Sequence, residues 1–113
     1  MDPRDLKFLE SGQGRIKLDI ALKRYFSGEA LDEELRNRYE RYLKSIIRPM
    51  MERLIEEENM ELLARTAKLG WLQTELIDSF ISMAADRGSI GAMTFLLHWK
   101  EQNSSFEDEE FPL

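Results

Sequence analysis

Met83-Ala84-Ala85-Asp86-Arg87-Gly88-Ser89-Ile90-Gly91-Ala92-Met93-Thr94-Phe95-Leu96-Leu97 reads as a helix, a sharp turn and a second helix. Ala84 and Ala85 are small enough to let two helices approach closely. Gly88 supplies the left-handed backbone that a tight reversal needs and that a Cβ resists. On this reading Ala85 sits between the two helices, and Phe95, Leu96 and Leu97 fill a layer shared with a neighbour.

Thirty residues upstream the pattern recurs. Met60-Glu61-Leu62-Leu63 falls under Ile90-Gly91-Ala92-Met93, and Asn59 under Ser89. A period of about 30 residues marks stacked helical hairpins, because one hairpin cannot bury its own apolar face. The upstream copy has Leu54 and Ile55 where the later one has the paired alanine, and Glu58 in place of Gly88.

These residues resemble the centre of an ankyrin repeat, whose pattern is a paired alanine, a glycine three residues later and a leucine run closing the second helix. Asn59 to Gly70 is similar to the second helix of a preceding repeat. The resemblance spans about residues 46–102. It implies a short ankyrin-like stack of helical hairpins that serves protein–protein contact. Two departures limit it: Ser79-Phe80-Ile81-Ser82 replaces the family's Thr-Pro-Leu-His opening, and Trp71-Leu72-Gln73-Thr74 is too short for its projecting β-hairpin.

The rest of the chain also reads as helix. Asp2 caps a short first helix with Pro3 at its first position and Leu6 and Leu9 along one side. Gly12-Gln13-Gly14 breaks it. A second helix runs from Ile16 to Phe26. A third begins after Asp32 and carries the stripe Leu31, Leu35, Tyr39, Tyr42, Ile46, Met50. Pro49 should kink or break it near Arg48. Met50, Met51, Leu54 and Ile55 resume the pattern. Thr74 caps a later helix, and the last one runs from Ile90 to about Gln102. The fold expected is all-α, with about six helices. The N-terminal helices would cap one open end of the stack, which otherwise exposes apolar surface.

Composition agrees. Valine is absent and only three of the 113 residues are threonine, which disfavours strands. The chain suits one domain over 1–103, followed by an acidic, flexible tail over 104–113. With no cysteine and one histidine, thiolate chemistry and a multi-histidine metal site are excluded. No apolar run approaches the ~20 residues of a membrane span, and Met1-Asp2-Pro3-Arg4-Asp5 does not read as a secretory signal. The expected location is cytoplasmic.

Charge is uneven. Residues 1–50 hold eleven Lys/Arg and nine Asp/Glu; residues 51–113 hold five and thirteen. The acidic half repels nucleic acid and anionic membrane surfaces. Nothing suggests catalysis or a cofactor. His98 lacks a nucleophile or an orienting acid in any recognisable spacing, so it reads as a structural or surface residue. Glu56-Glu57-Glu58 point about 100° apart on a helix and form a solvated end rather than a cation site. Gly12-Gln13-Gly14 lacks the lysine and serine of a phosphate loop and reads as a turn.

Two surfaces stand out for binding. The tail Phe106, Glu107, Asp108, Glu109, Glu110, Phe111 could dock aromatics on a protein partner while its acids steer the encounter. The basic face Arg41, Lys44, Arg48 is the alternative, for a nucleic-acid-associated regulator, though acids interleave it. The expected function is therefore a non-catalytic protein–protein interaction module, or a small adaptor or regulatory subunit.

Overall fold

The structure is a computed structural model that describes the backbone of residues 1–109 and the side chains of residues 1–103. Seven helices and no strand occur among the described residues: α1 Pro3–Glu10, α2 Gly14–Phe26, α3 Glu33–Ser45, α4 Ile47–Glu56, α5 Met60–Lys68, α6 Thr74–Asp86 and α7 Ile90–Glu109. The all-α expectation holds. The chain divides into two compact units, Met1–Met50 and Met51–Leu113, with the boundary inside α4.

The seventh helix arises where α3 and α4 separate. Ile46 leaves helical geometry (φ −119°, ψ 39°), three residues before Pro49. Proline blocks the carbonyl four residues back, here that of Ser45, and has no N–H to offer it. The helix therefore ends at Ser45, and Pro49 falls in the first turn of α4, where a missing N–H costs little.

In Met1–Met50, α1 packs on α2 and α2 on α3. Asp2 caps α1 through the Arg4 amide and Asp32 caps α3 through the Leu35 amide. Phe8, Leu18, Ala21, Leu22, Phe26, Leu35, Tyr39 and Leu43 are buried. The Phe8 ring lies 4.4 Å from Tyr39 and 5.2 Å from Tyr42 between centroids. The orientation of α1 differs from expectation. Asp5 and Phe8 face inward, while Leu6 and Leu9 remain 48% and 36% exposed.

In Met51–Leu113, α6 and α7 fold back on each other, and α5 lies against α7. Leu54, Ile55, Leu63, Ile77, Phe80, Ala84, Ala92 and Leu96 are buried, and Trp71 and Leu72 bury the connector before α6. Four expectations change. Ala84 is buried but Ala85 is exposed, because successive helical residues point about 100° apart and only one of the pair can face α7. Of Phe95, Leu96 and Leu97, only Leu96 is fully buried, and Leu97 is 46% exposed. Gln73, not Thr74, is the N-cap of α6. The backbone of α7 also continues past Gln102 to Glu109.

Candidate functional site

The strongest local regularity is a turn used twice. After α4, the amides of Glu57, Glu58, Asn59, Met60 and Leu63 donate to the carbonyls of Arg53, Ile55, Leu54, Glu58 and Asn59. After α6, the amides of Arg87, Gly88, Ser89, Ile90 and Met93 donate to Met83, Ala85, Ala84, Gly88 and Ser89. Each acceptor and donor is displaced by thirty, and all ten bonds measure 2.9–3.1 Å. Crossed bonds of this type satisfy carbonyls that a helix end otherwise orphans.

The left-handed residue is Glu58 (φ 50°) in the first turn and Gly88 (φ 68°) in the second. Asn59 then caps α5 by accepting from the Leu62 amide at 3.1 Å. Its counterpart Ser89 is buried, and its hydroxyl has no partner among the described residues.

The first helical residue after each turn is apolar and open to solvent: Met60 is 36% exposed and Ile90 71%. A Cβ placed on Gly91 would lie 3.4 Å from the Met60 sulfur, so the starts of α5 and α7 adjoin. Glu57, Glu58 and Glu61 are exposed nearby in sequence. Arg87 is held by Glu56 at 3.1 Å and by Glu52, and Lys100 ties α7 to Asp78 of α6 at 2.7 Å.

A second polar assembly lies in Met1–Met50, and no sequence pattern announces it. The Arg24 guanidinium donates to both carboxylate oxygens of Asp5, each at 2.8 Å. The Tyr39 hydroxyl donates to the same carboxylate. Arg24 also reaches Glu29 at 3.0 Å, and Arg4 pairs with Asp2 at 2.8 Å and Glu29 at 3.1 Å. Hydrogen bonds from Arg24 hold the Asp5 carboxyl below the usual carboxylate range, against the opposing pull of burial. Burial, then the bond to Asp5, pushes the Tyr39 hydroxyl above its ordinary value. Asp5, Arg24 and Tyr39 are paired and enclosed, with Glu29, Arg4 and Asp2 at the exposed rim, and the three buried groups form a brace joining α1, α2 and α3.

The sequence-selected residues fall as follows. Arg41 and Lys44 are exposed on α3, while Arg48 is exposed on α4 beyond the break at Ile46. The basic face is thus divided between two helices, and Lys44 and Arg48 each already interact within the chain. Phe106, Glu107, Asp108 and Glu109 belong to α7 by backbone, but their side chains lie outside the described residues, as do Glu110 and Phe111 altogether. His98 is exposed. Among the described residues no three acidic or histidine side chains form a group that could hold a metal. No helix there is long and apolar enough to cross a membrane. No family model, curated protein or solved structure matches this chain.

Proposed function

We propose that the chain is a non-catalytic protein–protein interaction module, built in its second half from two helical hairpins of ankyrin-like character. The observation that carries this reading is the turn repeated at an interval of thirty, bond for bond, with an exposed apolar residue opening the next helix each time. Stacked hairpins build a surface one repeat at a time, and equivalent positions along the stack form the row that a partner meets. The Arg87 contacts with Glu52 and Glu56 support stacking, since they link the second turn to the first helix of the preceding hairpin.

The test is affinity capture from the native source with the full chain and with a chain lacking residues 104–113, each with and without nuclease. A protein recovered in fixed ratio, insensitive to nuclease, is the expected result. Loss of that protein on truncation would place its contact on the tail. Recovery that vanishes with nuclease would overturn the reading in favour of the basic face Arg41, Lys44, Arg48.

A further inference from the structure

The edge where α5 and α7 begin is composed of residues that folding alone would not select. Helix starts favour proline or an acid at the first position, yet α5 opens with Met60 and α7 with Ile90, both exposed. Gly91 follows inside the first turn of α7, where alanine would suit a helix better. An added Cβ would meet only the Met60 sulfur, at the ordinary contact distance of 3.4 Å. Glu58 adopts a left-handed backbone at the position its own counterpart gives to Gly88. Met60 packs in part against Gly91, but Ile90 stays open and Glu58 stays left-handed, and local rules broken together at one place point to binding.

Charge indicates the partner. Glu58 and Glu61 flank Met60 in sequence, are exposed, and make no ion pair among the described residues. Arg87, the cation closest in sequence to Ile90, is taken up by Glu52 and Glu56. Across residues 51–103 the sequence holds five Lys/Arg against nine Asp/Glu.

We propose that Met60, Gly91 and Ile90, with Glu58 and Glu61 beside them, form a docking edge for a basic peptide segment that carries apolar side chains. The apolar side chains seat on Met60 and Ile90, where Gly91 leaves room for close approach of the backbone. The segment's lysines or arginines meet Glu58 and Glu61. Glu58 is the specificity residue, since its carboxylate is what the strained turn retains in place of glycine. This inference rests on the interaction-module reading and names the partner's chemistry.

The experiment uses the full chain and three labelled peptides of equal length: alternating Lys and Leu, alternating Lys and Ser, and alternating Glu and Leu. Binding is followed by fluorescence anisotropy at physiological salt. The Lys/Leu peptide should bind at least tenfold tighter than either of the others. Glu58→Gly should weaken it at least threefold while raising the melting temperature, a combination that a purely structural Glu58 would not give. Ile90→Ser should weaken it at least fivefold with an unchanged circular dichroism spectrum. Equal binding of the Lys/Ser peptide, or unchanged affinity in both variants, would overturn the proposal. Preference for the Glu/Leu peptide would overturn it too, while leaving the interaction-module reading intact. Failure to bind any of the three would overturn this edge alone, because capture of a partner from the native source tests the broader reading independently.

Discussion

Glu58 and Gly88 hold the same place in the same hydrogen-bonded turn, thirty residues apart, and both have positive φ. Only glycine adopts that conformation without a steric penalty. Glu58→Gly should therefore stabilise the protein by about 0.5–1 kcal/mol. Gly88→Val should destabilise it by more than ~1 kcal/mol. Nothing lies within 4 Å of a Cβ at Gly88, so that loss is one of backbone strain alone. Urea midpoints of the two variants should move in opposite directions, and parallel shifts would mean that the turns are not equivalent.

Ala84 and Ala85 separate by burial. Ala84 is fully buried and Ala85 is exposed. Ala84→Leu should overpack its site and cost roughly 1–3 kcal/mol. Ala85→Leu should stay within about 0.5 kcal/mol of the parent. Chemical denaturation of both variants checks this, and an equal loss in the two would contradict the orientation of α6.

Arg24 and Asp5 are both nearly enclosed, with side chains 6% and 3% exposed. Removing one member of such a pair strands the other, at a cost of about 3–5 kcal/mol. Arg24→Met alone should fall in that range. The triple variant Asp5→Leu, Arg24→Met, Tyr39→Phe removes every stranded group and should regain most of the loss. If the triple variant is less stable than Arg24→Met by a further several kcal/mol, the brace contributes net stability beyond its own desolvation.

The same brace sets a pH dependence. The folded Asp5 carboxyl titrates below the roughly 3.9 of an unfolded aspartate. Its contribution is thus complete above about pH 4 and is lost as pH falls through the lowered folded value. Tyr39 is shifted upward, so its contribution is complete below about pH 10 and is lost as pH rises through the raised folded value. Melting temperatures recorded from acid to alkaline pH should fall less steeply at both ends in the triple variant than in the parent. Superimposable profiles would show that other groups govern both limbs.

The helices and the turn at Gly88 are legible in the sequence because apolar spacing and glycine are local signals. Ala85 is misplaced because a helical period locates a buried stripe only to within about one residue of an adjacent pair. Pro49 announces a break, but its clash acts four residues back, so the chain opens at Ile46 rather than at Arg48. The brace escapes notice because its partners are 19 and 34 residues from Asp5, beyond any periodicity. The docking edge escapes notice because Met60 and Ile90 look like core residues until their exposure is seen. The divergence of Leu54, Ile55 and Glu58 from the later copy conceals an identity of backbone bonds that residue types alone do not carry.

The orientation of α1 has a consequence for how the chain finds a single structure. Rolling that short helix by about 100°, one residue's worth, would turn Leu6 and Leu9 inward and send Asp5 and Phe8 out. Burying what remains exposed of the two leucines would gain about 2–3 kcal/mol, and exposing Phe8 would lose about as much. Greasy surface is therefore nearly indifferent between the two settings. The guanidinium of Arg24 is not, since it would lose both bonds to the buried Asp5 carboxylate and keep only the half-exposed Glu29. An ion pair thus acts here as the key that admits one rotation of the first helix and refuses the next.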